Sequence, residues 1–208
     1  MINSKKELKY YILCDSKACR RKSVKSRLFG DEIWKFQLSL RKLEFFCRPT
    51  RSNLDKLIEL PARCCYELIF HYWSIQLGFT IPLNVFEEGL SIAHRGCLVV
   101  NGNARVGKNC RIHEGVNIGA SKGTSDAPII GNNVFIATGA KILGGVHIAD
   151  NVAIGANAVV VRDITEPGTT WAGVPAKKVS NNSSKPYLSP LIVDISNVSE
   201  IPVILDSN

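Results

Sequence analysis

A six-residue repeat runs through the second half of the chain. β-Branched aliphatic residues occupy every sixth position from Val100 to Val160, and Thr124 is the one exception among eleven positions. A second column, four residues further along, is small or apolar except at Lys122, and turn formers such as Asn109 fall between the columns. A period of six fits neither an α-helix nor a simple alternating strand. It is typical of a β-helix, a solenoid of short parallel strands joined by tight turns.

The repeat also predicts which residues stack. Three hexapeptides complete one triangular coil, so residues 18 positions apart should lie above one another. Both exceptions fall in the polar stretch GASKGTSDAP, and we expect an extruded loop at about 119–129. The same count assigns His94 to an inward-facing position, one coil below His113. If the coil begins irregularly near Arg95–Gly96, both imidazoles share an outer surface instead.

The chain divides into three predicted regions. Residues 1–78 have helical spacing, and their last segment, 62–78, is apolar almost all round, which predicts burial within the protein or between subunits. Residues 79–179 form the predicted β-helix. Residues 180–208 begin with SNNSSKP, a linker composition, and are expected to form an extended tail.

Composition narrows the partners and the compartment. The net charge of +8 is concentrated in residues 1–30, which form either a solvated face or a contact with a membrane surface. No motif that reads a nucleic acid groove is present, so no nucleic acid partner is expected. Without a secretion signal or an apolar run of about 20 residues, the protein is expected to be cytoplasmic. Its seven cysteines include no CxxC pair, which predicts buried, reduced thiols and no zinc site.

Three long segments resemble one family. IAHRGCLVVNGNARVGKNCRIHEGVNIGA, IGNNVFIATGAKILGGVHIADNVAIGANAVVVRDI and WAGVPAKKV resemble the serine O-acetyltransferase branch of the hexapeptide acyltransferases. The resemblance covers roughly residues 75–179 and is strongest to acetyltransferases of polysaccharide biosynthesis. It implies a mainly β fold, a left-handed parallel β-helix with an N-terminal helical region. It also implies a homotrimer with active sites between subunits, and acetyl-CoA as the donor.

Acetyl transfer to a hydroxyl needs a base that takes the hydroxyl proton, and histidine suits that task at neutral pH. The resemblance assigns this role to His94, and stacking adds His113 as a second catalytic candidate. The alternative is a core His94 with a solvent-facing His113. Three acidic residues are candidates for orienting the imidazole, and the sequence does not choose among them: Glu87, Glu88 and Glu114.

The donor site is predicted from a column of small residues. Spacing by 18 stacks Ala120, Thr138 and Ala156, and the resemblance implies that coenzyme A binds along such a column. Lys141, Lys177 and Lys178 are candidates to contact its phosphates. No metal is expected. The predicted donor-binding residues are Gly119, Ala120, Ser121, Thr138, Gly139, Ala156 and Lys177.

The acceptor is inferred from positions at which this chain differs from the serine acetyltransferases. Serine acetyltransferases carry a second active-site histidine where this chain has Ala127, and acidic residues where it has Ala93 and Phe79. These differences favour a sugar hydroxyl, free or lipid-linked, in surface or capsular polysaccharide synthesis. The alternative is serine acetylation in cysteine biosynthesis.

Two further classes of protein are compatible with a hexapeptide solenoid. A γ-type carbonic anhydrase needs three histidines across coils, a set that His94, His113 and His147 do not form at their spacing. A non-catalytic solenoid used for assembly is the remaining alternative.

Overall fold

A computed structural model of the protein describes residues 1–49, 51–121 and 125–191. The described chain begins with the α-helices α1 (Lys5–Ala18), α2 (Glu32–Phe46), α3 (Asn53–Ile58) and α4 (Leu60–Leu77). Both α1 and α3 start at a serine, Ser4 and Ser52, whose side chain accepts a hydrogen bond from the backbone of the third helical residue. Gly78, at a φ of +73°, ends α4 and turns the chain into the first strand.

Short strands follow from Phe79 onward and form three sheets. They are β1 (Phe79–Thr80), β2 (Ser91–Ile92), β3 (Leu98–Val100), β4 (Arg105–Val106), β5 (Arg111–Ile112), β6 (Asn117–Gly119), β7 (Ile129–Ile130), β8 (Phe135–Ile136), β9 (Lys141–Leu143), β10 (His147–Ile148), β11 (Ala153–Ile154), β12 (Val159–Val160), β13 (Thr170–Ala172) and β14 (Lys177–Ser180). The five-stranded sheet has the order β1-β3-β6-β9-β12, the three-stranded sheet β10-β7-β4, and the six-stranded sheet β14-β13-β11-β8-β5-β2.

The predicted left-handed parallel β-helix is confirmed. Its strands pair in parallel, except for the closing β13–β14 pair, which is antiparallel. The aliphatic column of the sequence lies inside the prism, where Ile112, Ile136 and Ile154 stack directly on one another and are fully buried. Burial of this column is the main source of stability for the solenoid.

The number of residues per coil varies, although the six-residue repeat continues without a change of phase. In the upper coils Phe135 pairs with Ala153, the expected spacing of 18. Across the loop region Arg111 pairs with Phe135, a spacing of 24, so six additional residues leave the coil between β6 and β7. Because six is one full period, the inserted loop preserves the phase of the aliphatic column while changing which residues stack.

A buried ion cluster joins the helices to the first coil. The Arg41 guanidinium donates to the carboxylates of Asp15 and Glu44 and to the carbonyls of Phe86 and Glu87. Asp15 in turn accepts the backbone N–H groups of the following pair of coil residues, Gly89 and Leu90. The chain that enters the first coil is therefore fixed to α1 and α2.

The C-terminal segment returns along the solenoid as far as residue 191, and residues 192–208 of the predicted tail lie outside the described residues. After β14 it crosses the six-stranded sheet, where the Tyr187 ring stacks on Phe135 at 4.5 Å between centroids. It then reaches α1, where Ser189 donates to the carbonyl of Lys17 and Arg20 to that of Leu188. The segment thus links the last coil to the first helix.

One expectation about burial stays a prediction and another is corrected. In the single chain α4 packs on α2 along one side, and Leu68, Tyr72 and Ile75 are exposed on the other, so burial of this apolar face between subunits stays a prediction. Of the cysteines only Cys14 and Cys110 are buried, whereas Cys64, Cys65 and Cys97 are exposed. Within the described part of the chain, no helix is both long and apolar enough to cross a membrane.

Candidate active site

A bulge places His94 on the surface. The turns 93–97, 113–116, 137–140 and 155–158 connect the six-stranded to the five-stranded sheet, and we call this edge the histidine corner. Ile92 pairs with Ile112, and the carbonyl of Cys97 accepts the N–H of Gly115 at 2.7 Å. The first coil therefore has two more residues in its turn than the coil above.

Ile92, not His94, fills the inward position below Ile112. Assignment of His94 to the core was thus wrong, because the first coil spans 20 residues rather than 18. The irregular start near Arg95–Gly96, offered as the alternative, is what the structure contains. His94 is exposed, and its ring centroid lies 5.4 Å from that of His113 in an edge-to-face arrangement.

Glu114 is the acidic residue of this corner. Its Oε1 accepts a hydrogen bond of 2.6 Å from Thr138 Oγ1, which lowers the pKa of the carboxyl group. Its Oε2 is shielded from solvent and has no hydrogen-bond partner among the described residues. One ligand atom each from His94, His113 and Glu114 lie within 4.8 Å of one another.

His113 is half-buried beside Glu114, and the edge of its ring contacts Phe135 at 5.2 Å between centroids. Its Nε2 is shielded and has no hydrogen-bond partner in the described part of the chain. Burial lowers the pKa of His113, the nearby Arg111 and His94 add to that effect, and Glu114 opposes it. The lowered pKa favours the neutral form of His113.

The other acidic candidates lie elsewhere. Glu88 is buried and paired with Lys108 at 3.1 Å, and Glu87 is exposed beside a cavity of about 800 Å³ along the three-stranded sheet. His147 is exposed on β10 of that same sheet. Among the described residues Glu114 is thus the carboxylate next to the imidazoles, and His147 lies apart from His94 and His113 within the single chain. A metal could be held in this corner only by His94, His113 and Glu114 together, among the groups that the structure describes.

The predicted column of small residues is corrected. Because the loop adds six residues, Thr138 stacks above Glu114, as shown by the bond of 2.9 Å from Gly139 N to the Glu114 carbonyl. Ala156 lies above Thr138 in the same way, since Asn157 N donates to the Thr138 carbonyl at 2.8 Å. Ala120 is not part of this column, because it follows β6 at the next corner.

Gly119, Ala120 and Ser121 begin the extruded loop. Gly119 pairs with Leu143, and a Cβ added to Gly144 would lie 3.0 Å from Ser121 Oγ. Gly144 and Gly145 therefore line this second corner, although sequence reasoning did not select them. A run of two glycines above a glycine-containing loop is the signal that could have done so.

Lys177 lies at the end of the solenoid. It lines a cavity of about 620 Å³ together with Arg162 and Lys178. Lys178 donates to Glu166, and the Lys141 ammonium donates to the carbonyl of Gly115. Strand β12 pairs with β9, so the chain after Val160 continues above Leu143 and leads from the loop corner to this cavity.

One family model matches part of the solenoid. Residues 127–162 match the family model described as bacterial transferase hexapeptide, six repeats. This part of the solenoid is therefore similar to the repeats of that family.

Named relatives make the comparison more specific. The chain is 35% identical over 138 residues to a serine acetyltransferase of Synechococcus elongatus, covering 65% of this chain and 53% of that protein. It spans about half the length of the curated relatives it matches. A Neisseria gonorrhoeae serine acetyltransferase in complex with serine has a TM-score of 0.59 and 26% identity, over 85% of this chain and 71% of that one. A serine acetyltransferase in complex with CoA has a TM-score of 0.57 at 22% identity, over 84% and 71%, which shows the fold alone.

Proposed function

We propose that the protein is an acetyl-CoA-dependent O-acetyltransferase in which His94 is the general base. The observation that carries the proposal is the bulge at the histidine corner, which presents an exposed imidazole beside a second imidazole and a carboxylate. The names of the relatives support the reaction class.

The reaction is a direct transfer. The acceptor hydroxyl oxygen attacks the thioester carbonyl carbon while its proton passes to His94, giving a tetrahedral intermediate. The C–S bond then breaks, and the departing sulfur takes the proton back, so the products are the acetyl ester and free CoA. A neutral His113 favours the first step, because no second cation opposes the charge that forms on His94.

We place the donor along the loop corner rather than in the column first predicted. Gly119, Ala120 and Ser121 lie below Gly144, and small residues leave room for a pantetheine arm to approach the backbone. The cavity at the end of the solenoid supplies Arg162 and Lys177, cations that suit phosphate groups. Thr138 and Gly139 lie instead one coil above Glu114, and Ala156 lies one coil above Thr138.

L-Serine is the first candidate acceptor, because the relatives named above are serine acetyltransferases. These comparisons favour the serine alternative over the sugar acceptor that the sequence analysis put first. They lend no support to polysaccharide biosynthesis.

A sugar hydroxyl is retained as a second candidate on one structural observation. Phe79 is buried and packs edge-to-face on Phe36 at 5.1 Å, and Ala127 is also buried. The two positions that are polar in the resemblance therefore serve the core here. Other residues must therefore supply the polar groups that bind the acceptor. Their positions differ from those of the amino-acid site that the resemblance implies.

The test compares acceptors and variants. The wild-type protein is assayed for CoA release with acetyl-CoA and either L-serine or nucleotide and lipid-linked sugars. We expect His94→Ala to lower kcat by about 10²–10⁴-fold. His147→Ala, an exposed histidine on another sheet, is the matched control and should keep wild-type kcat. Equal kcat for His94→Ala and the wild type would contradict the assignment of the base.

We also propose the homotrimer implied by the resemblance, with each site completed by an adjacent subunit. The exposure of His94 at an outer corner supports this arrangement, because a single chain leaves one side of the imidazole open. Light scattering should give three chains per particle. A monomer that retains full kcat would contradict a shared site.

A further inference from the structure

We propose that Glu114 is the positioning carboxylate of the histidine corner, holding the imidazole pair and stabilising the imidazolium that forms when His94 accepts a proton. This inference rests on the proposed function. It assigns to one residue a role that the residues at 79 and 93 do not have the chemistry to perform.

The first argument is the arrangement of the two carboxylate oxygens. Thr138 donates to Oε1 at 2.6 Å and so fixes the plane of the carboxylate. Oε2 is shielded from water and, within the described residues, accepts no hydrogen bond. A charged oxygen in that state is costly unless a cation lies nearby. The candidate cation is an imidazolium, since one ligand atom of each histidine lies within 4.8 Å of the glutamate ligand atom.

The second argument is the space made for this side chain. Gly96 ends the bulge that carries His94, and it has a φ of +133°. A Cβ at this glycine would lie 3.1 Å from Glu114 Cβ, closer than ordinary contacts. The residue that allows His94 to leave the coil is therefore also the one that leaves room for the Glu114 side chain in the coil above.

The third argument is the charge around the pair. The groups that face His113 are the Arg111 guanidinium, His94 and Glu114, and only Glu114 favours a proton on the ring. Both histidines in turn lower the pKa of the Glu114 carboxyl group. Because Arg95 is bound to Glu32 on α2 at 2.7 Å, the neighbouring cation of the bulge is already paired. Glu114 is thus the carboxylate available to the imidazoles.

The test uses Glu114→Gln, which keeps the shape and removes the charge. Glu87→Gln, an exposed carboxylate outside the corner, is the matched control. In Glu114→Gln we expect kcat to fall about tenfold with the KM for acetyl-CoA unchanged, as the loss of one charge contact at this distance would give. The acidic limb of the pH–rate profile should move to lower pH by about 0.5 to 1, because a carboxylate favours the protonated imidazole.

A second pair of variants separates positioning from structure. Thr138→Val releases Oε1 and should lower kcat, whereas Thr138→Ser keeps the hydroxyl and should restore it. Thermal unfolding of all variants must stay close to that of the wild type for the comparison to hold, and a pH profile identical to wild type in Glu114→Gln would overturn the inference.

A measurement that does not depend on activity separates failure of the Glu114 role from failure of the proposed function. The pKa of His113 is measured by NMR titration of labelled histidine, which requires no activity. Loss of Glu114 should lower that pKa further, by about 0.5 to 1, whether or not acetyl-CoA is the donor. If the wild type transfers no acetyl group but the His113 titration moves, the function is wrong and the electrostatic role of Glu114 stands. If neither kcat nor the titration changes, the role of Glu114 is wrong.

Discussion

Replacing Arg41 by methionine should destabilise the protein more than any single surface change. Arg41 is fully buried and uses all five guanidinium N–H groups, three on the carboxylates of Asp15 and Glu44 and two on backbone carbonyls. Removing one partner of a buried ion pair typically costs about 3–5 kcal/mol of unfolding free energy, because the other charge is left unpaired. Here two carboxylates and two carbonyls lose a donor.

Part of that cost is offset by donors that remain. Asp15 keeps the N–H groups of Gly89 and Leu90, and Glu44 keeps the N–H of Asn84. We therefore expect a loss of about 4 kcal/mol, within the range for breaking a buried pair. For a chain of this size each kcal/mol lowers Tm by about 2–4 °C, so Tm should fall by about 8–16 °C.

The assay is thermal unfolding by circular dichroism at a fixed protein concentration, at pH 7.5 and pH 5. Burial raises the pKa of Asp15, and Arg41 opposes that rise. Without Arg41 the folded-state pKa lies further above the unfolded value, so protonated Asp15 contributes stability at low pH that is lost as pH rises. The deficit of Arg41→Met should therefore shrink at pH 5.

Arg21→Met is the matched control, because its pair with Asp31 is partly exposed and should contribute only about 1 kcal/mol or less. A Tm within 2 °C of wild type for Arg41→Met, or a deficit that grows at pH 5, would refute this reasoning.

Other predictions concern the core, the thiols and the turns. Ile136→Ala should cost about 2–5 kcal/mol in denaturant unfolding, whereas Ile129→Ala, at a position that is 47% exposed, should cost much less. Iodoacetamide at pH 8, read by mass spectrometry, should label Cys64, Cys65 and Cys97 but not Cys110, because burial raises the pKa of Cys110 to about 12; labelling of native Cys110 would contradict its place in the core. Asn133→Ala should cost about 1–2 kcal/mol, since Asn133 has a φ of +55° and hydrogen-bonds Asn109 and Asn151, and Asn133→Gly should recover the part due to backbone strain.

The solenoid was predictable because its core is periodic. The side chains of the aliphatic column from Val100 to Val160 face one interior, so apolar residues recur at a fixed period that is visible in the sequence. The helical character of residues 1–78 followed from their spacing in the same way. The exposed face of α4 did not, because an apolar pattern does not state which of its sides has a neighbour within the same chain.

Stacking was harder to predict than periodicity. The loop before Ile129 adds one whole hexapeptide, so the column stays in phase and nothing in the sequence shows that Thr138 lies above Glu114 rather than above Ala120. The first coil is longer by two residues. The one sign of this in the sequence is His94, which occupies a position of the repeat that is aliphatic elsewhere. The choice of Glu114 among three acidic residues depended on those registers, which are set by backbone hydrogen bonds between distant segments.

The returning C-terminal segment changes how the solenoid should unfold. In a stack of repeats each coil contacts only its neighbours, so the ends of such proteins fray independently. Here the chain that leaves the last coil is hydrogen-bonded to the carbonyl of Asn133 in the middle of the stack and to α1 beside the first coil. Opening the last coil therefore pulls on contacts at the opposite end. We therefore expect the coils to unfold together as one cooperative unit, rather than one at a time from the last coil.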